Sequence, residues 1–290
     1  MTMFINVLIT GLILSGIYSV MSVGLTLQYG VTKILNLAHG EFFVFGAFIT
    51  LALTQLGISP IISLVLAPIP LFALGWVCHN TIYKRIHTIS TNTAEYEKNS
   101  MLISYGIMIT LGNAAIAFWG SGALSHRYQF LSQTVRVGDS AFAANRLVVL
   151  ILAVAICFGY YMLLNRTRVG LSIRAVAMSP TTAAFSGIRN TRAMTLAFAI
   201  GATLAGLAGV LHSMINSIYT SDGSGAIITA IIIVLLGGLG SIRGSIIGGT
   251  ILGFVAAIVS FQEPLLQFAA YYIIVIAILI LRPRGLLGTR

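Results

Sequence analysis

Apolar stretches of about twenty residues, parted by short polar breaks, run along the whole chain. Phe4 to Gln28 is the first, and Y-G-V-T-K-I-L-N-L-A-H-G-E separates it from Phe42 to Leu56. G-I-S-P then turns the chain into Pro60 to Ile82. Met101 to Trp119, Arg146 to Leu164 and Met194 to Ser213 follow, then Ala226 to Leu239, Ser245 to Phe261 and Leu265 to Leu281. A helix rising ~1.5 Å per residue crosses a ~30 Å hydrocarbon layer in about 20 residues. The pattern predicts an all-α polytopic membrane protein of about eight to nine transmembrane segments, with room for one re-entrant segment.

The longest interruption that still carries helix signals lies between Arg174 and Leu211. Ser179 is placed to cap a helix that starts at Pro180 and closes at Gly187. Asn190 is placed to cap a second, apolar helix reaching about Leu211. Elsewhere the spans carry small residues at four-residue spacing. Gly201, Ala205 and Gly209 form one such series, and Gly240, Gly244 and Gly248 another, each expected on one helix face. Close backbone approach is a main source of helix association in lipid, so both series predict tight packing.

Composition agrees with the pattern. Of 290 residues, 58% are hydrophobic and 8% charged, where a soluble domain carries roughly 25% charged. The formal net charge of +10 invites a nucleic-acid reading, but the basic residues sit in short loops between apolar runs. With the N-terminus outside, the inner loops hold Lys33, Lys84, Arg85, Lys98, Arg166, Arg168, Arg174, Arg189, Arg192, Arg243, Arg282, Arg284 and Arg290; the outer loops hold Arg127, Arg136 and Arg146. Thirteen against three orients the chain with its C-terminus and its 165–193 loop in the cytoplasm. No basic residue precedes Lys33, so the first apolar run reads as a retained span rather than a cleaved leader.

The missing chemistry narrows the function. There is no G-x-x-x-x-G-K-[ST] phosphate loop, no G-x-S-x-G and no HExxH. His39, His79, His87, His126 and His212 offer no metal-ligand spacing, and Cys78 and Cys157 read as buried small hydrophobes. No series of carboxylates runs through the spans, as a proton-driven carrier would need. What is left is a pore-forming or transporting subunit whose energy source lies elsewhere.

Glu41 is the exception among the acidic residues. Asn36 is placed to cap the helix that carries His39 and Glu41 in its first turns. One reading is a polar helix start at the cytoplasmic interface; the other is a broken helix whose polar beginning (Asn36, His39, Glu41) lines a translocation path. G-G-L-G-S-I-R-G, Gly237 to Gly244, occupies a corresponding place in the second half and suggests a parallel internal repeat.

These residues give the chain a resemblance to the permease subunits of bacterial ABC importers for branched-chain amino acids, closest to the shorter permease of the leucine/isoleucine/valine system. The resemblance covers nearly the whole chain. It rests on Gly24 to Glu41 (G-L-T-L-Q-Y-G-V-T-K-I-L-N-L-A-H-G-E), Ser186 to Leu211, Leu236 to Gly249 (L-G-G-L-G-S-I-R-G-S-I-I-G-G) and Arg282 to Gly288 (R-P-R-G-L-L-G). It implies a single permease domain in the bacterial inner membrane, a second homologous permease as partner, two ATP-binding subunits that hold ATP and magnesium, and an extracytoplasmic binding protein. This chain itself is then expected to bind no cofactor and to catalyse no reaction. It also implies that the short helix Ser179, Pro180, Thr181, Thr182, Ala183, Ala184, Phe185, Ser186, Gly187 docks on an ATPase. Here Thr181, Thr182 and Ala183 stand where the broader importer pattern has Glu-Ala-Ala. Related permeases handle urea or short amides, and a free-standing channel or secondary carrier is the rival of a different class.

Overall fold

The computed structural model describes residues 2–124, 134–137 and 140–288. Thirteen α-helices account for nearly all of the described chain, with a small antiparallel hairpin pairing Thr134–Val137 with Ser140–Ala143. The helices are α1 (Thr2–Thr32), α2 (His39–Gln55), α3 (Pro60–Leu66), α4 (Pro68–Cys78), α5 (Lys84–Ile89), α6 (Thr93–Trp119), α7 (Ala144–Arg166), α8 (Arg168–Met178), α9 (Pro180–Phe185), α10 (Asn190–Ser213), α11 (Asp222–Gly237), α12 (Ile242–Gln262) and α13 (Gln267–Leu281). A π-helical turn, His79–Tyr83, joins α4 to α5, so Pro60–Ile89 acts as one long span.

Among the described residues, seven helical stretches are long and apolar enough to cross a membrane. The other two expected segments are the short helices α2 and α11, of 17 and 16 residues. At ~1.5 Å per residue each covers about 25 Å, and backbone outside the helix completes the crossing. These two are among the most buried elements, as lipid requires of non-helical backbone: it must be enclosed by protein.

The core is built from two interlocked triplets. α1, a break at 33–38, α2 and the α3–α4 span form one; α10, a break at 214–221, α11 and α12 form the other. α1 and α10 cross at Gly24 and Gly201, each glycine facing the other's carbonyl, with Gln28 opposite Phe198 and Gly201, so the two helices run antiparallel. α12 lies antiparallel along α1: Gly253 meets Ser15, Gly249 meets Ser19, and Ser245 meets Ser22 and Thr26. In the same way α4 lies antiparallel along α10, with Leu71 against Gly206, Gly75 against Ala199 and Ala202, and His79 against Thr195. Each triplet thus lends its third helix to the first helix of the other, and the two are related by inversion. This corrects the parallel repeat expected from Gly237–Gly244: the counterpart of the 33–38 break is 214–221, a segment whose sequence does not resemble it.

The α1–α12 seam is held by hydroxyls. Ser15 Oγ donates to the Thr250 carbonyl at 3.0 Å and Ser22 Oγ to the Ser245 carbonyl at 3.3 Å, while Thr26 and Ser245 join through their hydroxyls. The small-residue series behave less uniformly. Gly201, Ala205 and Gly209 are all buried on α10; a Cβ on Gly209 would overlap the Phe43 carbonyl. Gly244 and Gly248 face α11, but Gly240 is not on a helix face: it lies in the turn before α12, with φ +82.

One end of the bundle gathers Lys33, the α5–α6 turn, α8, α9 and the α11–α12 turn around shared cavities. It holds most of the basic residues and is called the basic end below. At the opposite end Leu124 pairs with Ile218 through their backbones, and Asn145 Nδ2 donates to the Met214 carbonyl. Arg127 and Arg290 lie outside the described residues.

Candidate functional site

Three features gather polar residues in a way that bears on function: the two helix breaks and the platform at the basic end.

The inner part of the first break is packed shut, while Lys33 and Leu35 at its edge line cavities of the basic end. After Thr32 the chain reverses at Lys33 and returns beside α1 through an irregular segment and a turn before α2 begins. Gln28 Oε1 accepts from Asn36 Nδ2 at 3.2 Å and faces His39 Nδ1 at 3.2 Å, while Gln28 Nε2 donates to the Phe198 carbonyl at 2.9 Å. The other ring nitrogen of His39 lies 3.0 Å from the Met21 carbonyl. Ser104 of α6 accepts from the Leu37 N–H at 3.1 Å and donates to the Leu35 carbonyl at 3.3 Å. Exposed backbone and buried side chains here satisfy one another, as an interior at membrane depth demands.

Asn36 does not cap α2. Its Oδ1 accepts from the Ala38 N–H at 3.1 Å, closing the turn ahead of the helix, and Ala38 stands at the cap position without a side-chain bond. The structure brings Asn36 and His39 together with Gln28, a residue the sequence reading passed over. Glu41 stands apart. It is only 5% exposed, lies against Gly112 of α6 and Gly223 at the start of α11, and its Oε2 has no hydrogen-bond partner. Its place in the first turn of α2 sets it against the positive end of that helix.

The second break opens a cleft of about 570 Å³. Ile17 and Met21 of α1, Phe43 of α2 and Phe268 of α13 form its apolar walls, and Tyr18, His212, Ser217, Tyr219, Asp222 and Ser224 supply polar atoms. Phe43 and His212 pack with ring centres 5.3 Å apart. Asp222 Oδ2 accepts from the Tyr219 N–H at 2.8 Å, which fixes the loop to the start of α11. At the far wall Gln267 Nε2 donates to Tyr271 Oη at 2.6 Å, and Tyr271 and Tyr18 share a bond of 3.0 Å. Asn36, His39 and Glu41 do not line this cleft. The sequence did hold a signal for it: S-D-G-S-G ahead of an apolar run is an acidic helix start with backbone free to approach a ligand.

The 165–193 segment is more ordered than a loop. It contains α8, an amphipathic helix capped by Thr167, whose Oγ1 accepts from the Gly170 N–H at 3.1 Å. Ile173 and Val176 face inward. After it Ser179 Oγ accepts from the Thr182 N–H at 3.2 Å, α9 runs from Pro180 to Phe185, and Gly187 at φ +79 closes it. Within Ser179–Gly187 only Ala183 is buried, and Phe185 is 88% exposed. Asn190 does not cap α10; its Nδ2 donates to the Pro180 carbonyl at 2.8 Å and ties α9 to α10 instead. No group of three or more His, Cys, Asp or Glu placed to hold a metal ion occurs among the described residues.

The family model described as branched-chain amino acid transport system / permease component matches residues 7–282. The chain is 28% identical, over 98% of its length and 96% of the relative's, to the high-affinity branched-chain amino acid transport system permease protein LivH of Salmonella typhimurium. It is 26% identical, with the same coverage, to the permease protein BraD of Pseudomonas aeruginosa, named for the same transport system. Among solved structures, PsaBC from Streptococcus pneumoniae in complex with Fab shares the fold, with a TM-score of 0.51 and 12% identity over 97% of this chain and 91% of that one.

Proposed function

We propose, from the premise that this chain belongs to the permease-component family of branched-chain amino acid transport systems, that it is the membrane-spanning permease subunit of an ATP-driven importer for branched-chain or other hydrophobic amino acids. The observation that carries this reading is the cleft at the second helix break. It offers Ile17, Met21, Phe43 and Phe268 to an aliphatic side chain and Tyr219, Asp222 and Ser224 to the charged ends of an amino acid. Its volume of about 570 Å³ falls within the ~300–1,000 Å³ of small-molecule sites.

The basic end faces the cytoplasm of a bacterial inner membrane, with the N-terminus outside and the C-terminus inside. A binding protein delivers substrate to the opposite end. Two ATPase subunits, which hold ATP and magnesium, sit below the basic end, and a second homologous permease completes the membrane part. α9 is the docking element on this chain, and Phe185, with nothing of its own chain to pack against, is its anchor. Closure of the ATPases moves α9, and Asn190 passes the movement to α10, which forms one wall of the cleft through His212. Asn36 and His39 fix the break beside the path, and Glu41 packs against the start of α11 at its edge.

The test is Phe185→Pro in the full transporter reconstituted with its ATPases. Membrane insertion should be unchanged and ATP hydrolysis should persist, while uptake falls to background. Coupled uptake at the wild-type rate would refute the docking role. Transport by this chain alone, in liposomes without ATPase subunits, would make it a free-standing carrier.

A further inference from the structure

A second cleft, of about 400 Å³, lies at the basic end between α1, α6 and α11. Ile231, Val234 and Leu235 line it from α11, and Leu239 from the turn that follows the helix. Met101 of α6 closes the other side. Its rim carries Lys33, Glu97 and Lys98.

Lys33 is held there against its own backbone preference. Its φ is +57, and it is the one non-glycine residue with positive φ among the described residues. Glycine would take that turn more cheaply, since a side chain in the left-handed region costs about 1 kcal/mol. The ammonium lies 5.5 Å above the Tyr29 ring, which turns it toward the cleft. A strained residue that the turn itself does not need points to a role for its side chain.

The rim has both signs of charge and the wall is aliphatic. A hydrophobic amino acid matches both: its carboxylate meets Lys33 and Lys98, its ammonium meets Glu97, and its side chain lies along Ile231 and Leu235. An anionic lipid headgroup would meet the lysines but be opposed by Glu97, so the mixed rim favours the zwitterion. We propose that this cleft is a cytoplasmic-side site for a free hydrophobic α-amino acid, at which accumulated product restrains further import. The orientation and the substrate class rest on the function proposed above. The coupling runs through α11, which lines this cleft near its C-terminal end and the 570 Å³ cleft at its N-terminal end. A ligand that ties α11 to α1 and α6 at one end biases the arrangement at the other.

The experiment uses the complete transporter in proteoliposomes, with ATP enclosed, binding protein and labelled leucine outside, and the lumen preloaded with buffer, unlabelled leucine, isocaproate (no ammonium) or leucine amide (no carboxylate). Lumenal leucine should slow the initial ATP-driven rate about fivefold or more, and each analogue much less. Lys98→Ala and Glu97→Gln should keep the buffer-loaded rate and lose the slowing. Simple exchange through the path would raise labelled uptake, not lower it, and would overturn the proposal. So would no slowing in the wild type, or equal slowing in the variants. If instead both variants change the rate regardless of lumenal leucine, and replacing phosphatidylglycerol by a zwitterionic lipid does the same, the cleft is a lipid site. Failure of leucine uptake under every loading would refute the proposed function rather than this site.

Discussion

The two helix breaks sit at corresponding places in the inverted triplets, yet one is bonded shut on its inner side, with only Lys33 and Leu35 at its edge lining a cleft, and the other is hollow. At 33–38 the backbone is bonded to Thr32, Ser104 and its own Asn36, whose side-chain amide is held by Gln28, and the glycines around it are in van der Waals contact with neighbouring backbone. At 214–221 the loop is tied down at Tyr219 and Ile218, and Ser217, Tyr219 and Ser221 face open volume. A broken helix in a membrane must satisfy its freed backbone from protein or from a polar cavity. This chain uses one solution in each half. The first gives a fixed joint, and the second gives a chamber with the start of α11 in its wall.

The contrast can be broken by enlarging side chains at each break. Gly209→Val puts methyl groups into the Phe43 carbonyl just beyond the first break. We expect a loss of about 3 kcal/mol or more and little folded protein by size-exclusion chromatography; a normal yield would mean that the first break is not tightly packed. Gln28→Leu removes the shared partner of Asn36 and His39. Unpaired buried groups cost ~1–3 kcal/mol each, so a thermal melt in detergent should shift clearly downward while residual uptake persists in the folded fraction. Gly225→Leu does the reverse at the second break. Its Cβ has ordinary contact with Phe268 at 3.5 Å, and the side chain would fill the cleft. Stability should hold or rise by up to ~0.8 kcal/mol from helix propensity, while uptake falls about tenfold. A variant that transports normally would remove the cleft from the path. The smallest effect belongs to Lys33→Gly, which relieves the left-handed strain at the first break and should raise stability by about 0.5 kcal/mol in the same melt.

Much of this was legible in the sequence because it depends on local pattern. Nine apolar segments correspond to seven long helices and two short ones, and Ser179, Pro180 and Gly187 fix the limits of α9 by chemistry that acts within a few residues. Asn36 and Asn190 do not cap α2 and α10, for the opposite reason. Each side chain had a better partner than the nearest helix start: the Ala38 N–H and Gln28 for one, the Pro180 carbonyl for the other. Pairings of that kind depend on the fold, not on spacing. The inversion was hidden for the same reason, since a two-fold relation between triplets requires similar shapes and not similar residues. The cleft was the least visible feature, because α1, α2, α10, α11 and α13 all contribute to it.

The hydroxyl seam between α1 and α12 also sets a schedule for assembly. Ser22 finds its partner 223 residues further along the chain. At ~5–20 residues per second of synthesis, the first helix enters the membrane about 10–45 s before the helix that completes it. For that interval Ser15, Ser19, Ser22 and Thr26 face either lipid or a temporary guardian. The fold closes only when its final third arrives, and a chain stopped short of residue 242 leaves its first helix without the face it was built to meet.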